Sequence, residues 1–350
     1  MIILSIESSC DETAASVIED GVKIISSAIA SSKDIHAISG GIIPEVAARE
    51  QLKCILPVIE KAVKHMQKFT DNNLLSFFSN IDAIAVTIGP GLIGALLIGI
   101  ETAKTISYIT KIPIIPVNHI LAHLYANWLE KETLPTFPAV GLIVSGGHTE
   151  IYLLKNHYEF VWLGGTRDDA AGETFDKTAR LLGLPYPGGP AISAEAEKFK
   201  NQNSKIKITL PRPMIDSGNL EFSFSGLKTA SMKEINKLKT MKQLNNETIV
   251  NLAYEIQESI TDVLVEKTLL AAKMHKVKSI ILGGGVAANH RLTTKFKLKI
   301  ENSKSKIDFR VPSPSLCTDN ASYIGSYAYF HNKPLKWHQI QAEPNLEVEV

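Results

Sequence analysis

Short apolar runs bounded by glycines and polar turns alternate along this chain with longer stretches of helical periodicity, and the clearest run occurs in two copies. Residues 140–144, Val-Gly-Leu-Ile-Val, suit a buried strand; the run breaks at Ser145-Gly146-Gly147-His148 and resumes over residues 149–154. This pattern predicts a hairpin with a glycine turn. Near the N-terminus the same arrangement recurs: Ile2-Ile3-Leu4-Ser5-Ile6-Glu7, then a polar turn Ser8-Ser9-Cys10-Asp11-Glu12-Thr13, then Ala14-Ala15-Ser16-Val17-Ile18. Glycine lets backbone approach a ligand with no Cβ in the way, and successive N–H groups in such a turn form an anion-binding concavity. An ordinary hairpin would explain Ser-Gly-Gly by itself. A hairpin opening each half predicts instead a duplicated α/β domain whose turns face each other across a cleft.

The remaining pattern agrees with that division. Residues 22–30 predict a third strand, 44–68 a helix with Pro44 in its first turn and Glu45 complementing the dipole, and 80–88 a strand. A helix over 92–108, a strand over 112–117 and a helix over 118–129 follow. The proline-rich stretch Leu134-Pro135-Thr136-Phe137-Pro138 marks the boundary, giving halves at 1–134 and 135–332 and a tail, 333–350, with no readable pattern. In the second half, helix signals run through Leu182, and Tyr186-Pro187-Gly188-Gly189-Pro190 breaks them. A basic helical insertion near 184–245 precedes a long helix over 247–276, which feeds a strand at 279–282. Gly283-Gly284-Gly285 then leads into another helix, 306–311 reads as the last strand, and Asp319 caps or begins the final helix. Alternating strands and helices predict mixed sheets flanked by helices. Paired turns of this kind resemble those of the actin, Hsp70 and sugar-kinase (ASKHA) superfamily, which would make each half an actin-like domain.

Composition sets bounds on this picture. With 350 residues and 45% hydrophobic content the chain can build two cores. A net charge of +1 points to no partner, although residues 198–242 hold ten Lys or Arg against three acids. That segment is read equally as a solvated basic face or as an RNA contact. Cys10, Cys54 and Cys317 are odd in number and lack ligand spacing, which predicts reduced thiols and a cytoplasmic protein. Residues 83–100 are nearly free of polar side chains, but Gly89-Pro90-Gly91 divides them into a strand and a helix rather than a membrane span. No signal peptide is expected at the N-terminus.

Several residues have the chemistry of a site. His119 and His123, at i and i+4, share one face of a helix, where they serve either as metal ligands or as two hydrogen-bonded helix histidines. The Glu of a His-Glu-x-x-His protease is missing between them. Asp319, in Cys317-Thr318-Asp319-Asn320, is the best third ligand, with a plain N-cap as its alternative. Two imidazoles and a carboxylate with open positions suit Fe(II) or Zn(II). Asp11 and Glu12 in the first turn suit a cation, a water or a proton transfer, or else a solvated turn. Asp168, Asp169, Glu173 and Asp176 crowd one helix start, as dipole complementarity would have it; Asp176 lies deeper and is suited to a hydroxyl or amine ligand.

Taken together these motifs resemble the TsaD (Gcp) family. The resemblance rests on Ser9-Cys10-Asp11-Glu12-Thr13, Gly89-Pro90-Gly91-Leu92, His119-x-x-x-His123, Ser145-Gly146-Gly147-His148-Thr149 and Asp168-Asp169-Ala170-Ala171-Gly172-Glu173 with Phe175-Asp176-Lys177-Thr178. Tyr186-Pro187-Gly188-Gly189-Pro190, Phe222-Ser223-Phe224-Ser225-Gly226-Leu227-Lys228, Gly283-Gly284-Gly285-Val286-Ala287-Ala288-Asn289 and Cys317-Thr318-Asp319-Asn320 complete it, in order, over residues 2–332. It implies transfer of a threonylcarbamoyl group from threonylcarbamoyl-AMP to the adenosine following the anticodon of tRNA. It further implies one divalent ion per chain, Fe(II) ahead of Zn(II), on His119, His123 and Asp319. Adenylate contacts are implied at Ile143, Val144, Ser145, Gly146, Gly147, Asp176, Gly189 and Asn289. For such a transfer, Asp11 or Glu12, in the opposing turn, is expected to be the catalytic group that accepts the proton lost by the amine. Protein partners of the TsaB and TsaE type are implied, TsaB as a heterodimer, and no membrane. Ser193 stands where many relatives have Asp. A metalloprotease, a nucleotide-binding scaffold and a sugar or acetate kinase are the competing readings.

Overall fold

The computed structural model describes residues 1–32, 35, 42–64, 78–199 and 208–348. It comprises two compact units, one formed by Met1–Leu134 with Pro314–Val350 and the other by Pro135–Ser313.

The first unit is built on β1 (Ile2–Glu7), β2 (Glu12–Glu19), β3 (Lys23–Ser31), β4 (Ala83–Gly89) and β5 (Ile114–Asn118), in the order β3-β2-β1-β4-β5. β1 pairs antiparallel with β2 and parallel with β4, and β5 extends the parallel side. The helices are α1 (Pro44–Lys64), α2 (Ile93–Thr110) and α3 (His119–Tyr125). With helices over the sheet, β1 is buried along nearly its whole length, which is why it reads as a continuous apolar run. The near-apolar stretch of residues 83–100 is β4 followed by the start of α2. Among the described residues no helix is long and apolar enough to cross a membrane.

The second unit repeats the plan. Its strands β6 (Ala139–Val144), β7 (Thr149–Leu154), β8 (Phe160–Gly165), β9 (Ser279–Gly283) and β10 (Asp308–Arg310) run in the order β10-β9-β6-β7-β8. Here β6 is the central strand, antiparallel to β7 and parallel to β9, as β1 is to β2 and β4. Its helices are α4 (Ala171–Leu181), α5 (Gly188–Ala196), α6 (Ser225–Thr240), α7 (Asn246–His275) and α8 (His290–Asn302). The fold is thus α/β with two five-stranded mixed sheets of matching topology, and the hairpin echo in the sequence is the trace of that duplication.

Three elements differ from expectation. Strand β8 was not anticipated: it is partly buried to exposed over residues 160–163 and buried at Gly164 and Gly165, a pattern with no period of two to read. The Gly188-Gly189-Pro190 stretch, expected to break the pattern, opens α5 instead; its first N–H groups find an acceptor outside the helix, described below. The final helices, α9 (Pro314–Cys317) and α10 (Ala321–His331), belong to the first unit and not to a half running to residue 332. Helix α10 lies against β1 and β2 at short range. Ser326 donates to the Gly21 carbonyl at 2.6 Å, the Ser322 and Ser16 hydroxyls are 2.9 Å apart, and a Cβ on Gly325 would come within 2.6 Å of Ile18.

The tail is also integrated, despite its mixed sequence. Leu335 exchanges both backbone hydrogen bonds with Ile114, at 2.7 and 3.2 Å, and Trp337 meets Tyr108 edge to face. Ile340 is buried in the first core, Glu343 N–H donates to Ile88, and the Pro344 carbonyl accepts from Gly91 N–H. Because Ile340 is fully enclosed, Ile340→Ala is expected to destabilise the protein by about 2–5 kcal/mol, read as a lower urea midpoint. A midpoint equal to that of the parent would mean that the tail packs less firmly than this.

Candidate functional site

The polar residues of the first unit gather at the carboxyl ends of its parallel strands, where open α/β sheets place ligands. β5 ends on Asn118, whose side-chain oxygen accepts from Ile120 and Leu121 N–H at 2.9 and 3.2 Å, so α3 begins at His119. One turn apart on this helix, the rings of His119 and His123 lie with centroids 4.7 Å apart. Their Nε2 atoms are 3.7 and 3.5 Å from Asp319 Oδ1, and one ligand atom from each of the three residues falls within 4.8 Å of the others. The capping role anticipated for Asp319 is taken by Asn320, whose side-chain oxygen accepts from Ser322 and Tyr323 N–H at 2.9 and 3.4 Å. Tyr323 closes the group, its ring 4.7 Å from that of His123 and its hydroxyl 3.4 Å from Asp319.

Electrostatics favour a cation here. Burial pushes the Asp319 carboxyl up to about 6; the His119 ring opposes this, while Glu7, Asp11 and Glu12 push the same way. Burial alone would lower the His119 imidazole, but the Glu7 and Asp319 carboxylates overcome it and raise it to about 9. Four carboxylates acting around one imidazolium leave surplus negative charge, which a divalent ion relieves. Two imidazole nitrogens and one carboxylate oxygen also form a donor set suited to Fe(II) or Zn(II) with positions left open. The residues present therefore fit a single divalent ion.

The first turn is held from below by Gln51 of α1, whose side-chain nitrogen lies within 3.2, 2.8 and 3.1 Å of the Ser8, Cys10 and Glu12 carbonyls. Asp11 is in the turn, whereas Glu12 opens β2 and accepts from the Ser31 hydroxyl at 3.1 Å. Glu7 was not anticipated as a site residue. It ends an apolar strand and contacts His119 at 3.0 Å, and an acid closing an otherwise apolar run was the one available signal.

In the second unit, the turn after β6 is closed by Ser145 N–H donating to the His148 carbonyl at 2.9 Å and by His148 N–H donating to Ser145 Oγ at 3.1 Å. A Cβ added to Gly146 or Gly147 would meet nothing within 4 Å, so the turn borders open space. Ile143 and Val144 have fully buried side chains, which leaves only their backbone to meet a ligand. Helix α4 docks tightly behind the turn: Gly172 N–H donates to Ser145 O at 3.1 Å, and a Cβ on Gly172 would come within 2.5 Å of that oxygen. Asp176 accepts from Gly188 N–H at 2.7 Å, supplying the acceptor that lets α5 start on glycine, and burial raises its carboxyl. Gly189 has open space at its Cβ position. Asn289 caps α8 through Leu292 N–H at 2.9 Å and donates to Ser193 Oγ at 2.9 Å and Gln257 Oε1 at 3.1 Å. Two residues on, Arg291 grips Glu258 at 2.6 and 2.9 Å, which ties the start of α8 to α7.

The other acids of the group around Asp168 have structural roles. Asp168 accepts from Phe224 and Ser225 N–H at 2.7 and 3.2 Å and from the Ser223 hydroxyl at 2.6 Å, capping α6 from outside. Asp169 and Glu173 both pair with Lys177 at 2.8 Å. Within the basic stretch of residues 198–242, part of which lies outside the described residues, Arg212 is engaged by Glu255 and by Asp262 at 3.1 Å. It is therefore not a free phosphate contact, whereas Lys233, Lys239 and Lys242 are exposed. The three cysteines form no disulfide with one another, and burial raises the thiols of Cys10 and Cys317.

Comparison with known proteins adds to this geometry. Residues 23–326 match the profile of a family described as TsaD, tRNA N6-adenosine threonylcarbamoyltransferase. A tRNA N6-adenosine threonylcarbamoyltransferase of Syntrophomonas wolfei is 44% identical over 347 residues, covering 99% of this chain and 97% of that one. One from Dehalococcoides mccartyi is 46% identical over 330 residues, covering 94% and 93%. Among solved structures, the activator of the 2-hydroxyisocaproyl-CoA dehydratase from Clostridium difficile superposes with a TM-score of 0.50 at 14% identity, covering 95% of each chain. At that identity it speaks for the fold alone.

Proposed function

The chain belongs to the TsaD family of tRNA N6-adenosine threonylcarbamoyltransferases, and from that premise we propose the reaction in detail. The donor is threonylcarbamoyl-AMP and the acceptor is N6 of the adenosine following the anticodon, in tRNAs that read codons starting with adenine. The N6–carbamoyl bond forms, the bond from the carbamoyl carbon to the phosphate oxygen breaks, AMP leaves, and one N6 proton passes to a base. The setting is cytoplasmic, with partner proteins of the TsaB and TsaE type and TsaB as the heterodimer subunit.

A mixed anhydride is already activated, so the chain needs no covalent nucleophile. Burial holds the Cys10 and Cys317 thiols protonated, in keeping with this. What remains is orientation and charge stabilisation. We assign adenylate binding to the backbone of Ile143 and Val144, the Ser145-Gly146-Gly147 turn, Asp176, Gly189 and Asn289. His119, His123 and Asp319 are assigned one divalent ion, Fe(II) ahead of Zn(II). The observation that carries this part is the three-ligand cluster within 4.8 Å amid surplus carboxylates. When bound, such an ion supplies Lewis-acid stabilisation to oxygens of the transferring group.

Asp11 and Glu12 are assigned the N6 proton. Single-turnover transfer is expected to fall roughly 10²–10⁴-fold in whichever of Asp11→Asn and Glu12→Gln removes the base. Adenylate affinity should stay near that of the parent. Parent rates in both variants would remove these acids from the chemistry.

A further inference from the structure

We propose that Glu7 is a positioning residue for the metal centre, fixing the tautomer of His119 so that its Nε2 lone pair is presented to the ion. The inference rests on the assignment of His119, His123 and Asp319 as ligands. Glu7 is fully buried at the end of β1 and each carboxylate oxygen is committed. Oε1 accepts from the Ser9 backbone N–H at 2.6 Å. Oε2 accepts from the Thr87 hydroxyl at 2.6 Å and stands 3.0 Å from His119 Nδ1. A metal-binding imidazole is neutral, with a proton on the nitrogen that does not ligate, and which nitrogen that is depends on its hydrogen-bond partner. A carboxylate can only accept, so Glu7 requires the proton on Nδ1. The lone pair then sits on Nε2, the atom 3.7 Å from Asp319.

The same geometry makes Glu7→Gln more than a loss of charge. Ser9 N–H can only donate, so the amide oxygen of Gln must take the Oε1 position. Its NH₂ is then forced into the Oε2 position, where the Thr87 hydroxyl can turn to accept and where it favours an accepting His119 Nδ1; the Ser9 hydroxyl, 3.3 Å from that nitrogen, is the one other neighbour among the described residues able to take an Nδ1 proton. An accepting Nδ1 places the imidazole proton on Nε2 and blocks the ligand. A near-isosteric substitution thereby inverts the tautomer, an effect that simple packing of Glu7 would not produce.

The test is Zn(II) affinity, measured by competition with a chromophoric chelator on the full chain, together with ¹⁵N spectra of the histidine rings in the Zn(II)-loaded parent. Glu7→Gln is expected to weaken Zn(II) binding by roughly 10–100-fold, the effect typical of losing an outer partner of a metal-bound histidine. Thr87→Val, which leaves the carboxylate in place, should weaken it far less. In the parent, His119 should show a protonated Nδ1 and a ligated Nε2. Parent affinity in Glu7→Gln, or ligation of His119 through Nδ1, would overturn the role of Glu7 while leaving the metal site standing. The spectra of the parent decide the matter even if Glu7→Gln does not fold. Equal affinity of the parent and of His119→Ala would instead overturn the ligand assignment, and the Glu7 proposal with it.

Discussion

His123→Ala and Asp319→Asn are expected to leave the folded chain with almost no bound divalent ion, against about one per chain expected for the parent. Among the described residues the cluster offers three candidate ligands, His119, His123 and Asp319, so losing one would leave two donors and an incomplete site. The fall in affinity should exceed the roughly 10–100-fold cost of losing an outer hydrogen-bonded partner. Asp319→Asn is the cleaner variant, because it keeps the volume of the side chain and Asn320, not Asp319, caps the final helix. Threonylcarbamoyl transfer should fall along with metal content in both variants. Elemental analysis and a transfer assay on the same preparations check this; unchanged metal in both would remove the site.

The second large effect concerns the glycine turn of the second unit. Gly147→Ala is expected to weaken threonylcarbamoyl-AMP binding by ten-fold or more while changing folding stability by less than about 0.5 kcal/mol. A Cβ at residue 147 meets nothing within 4 Å, so the folded chain has room for it. A ligand lying against that backbone does not. Gly172→Ala is the opposite case, since its Cβ would press on Ser145 O at 2.5 Å and should destabilise the fold directly. Calorimetric titration with a non-hydrolysable adenylate analogue, paired with urea unfolding, separates the two. Parent affinity in Gly147→Ala would mean that the ligand does not approach this turn.

Much of this architecture is legible in the sequence because local chemistry and tertiary position coincide. The two hairpins follow from buried central strands, β1 and β6, each broken by a polar or glycine turn. The two histidines follow from helical spacing and are adjacent in the fold for that reason. Asp319 is less legible: it comes from the far end of the chain, and sequence alone leaves a plain N-cap as its alternative. Only the structure shows Asn320 doing the capping. Glu7 and the Gly188 helix start are hidden for a related reason. In both, a carboxylate satisfies a group distant in sequence, His119 for Glu7 and Gly188 for Asp176, and no period records such a pairing. The tail has no pattern of its own because it is held by backbone hydrogen bonds and one buried Ile340 rather than by an amphipathic face. Arg212 shows how little a basic stretch says of its single residues, since its charge is engaged by Glu255 and Asp262 on α7.

The proposed transfer runs directly from the adenylate to tRNA. It is tested by a rapid-quench single turnover using threonylcarbamoyl-AMP labelled in the carbamoyl carbon, with the full chain, its partner proteins and unmodified tRNA. The label should pass to N6 of the adenosine after the anticodon at the same rate as AMP appears, with none bound to protein at any time. Label trapped on the chain, or AMP released with no modified adenosine, would rule out direct transfer.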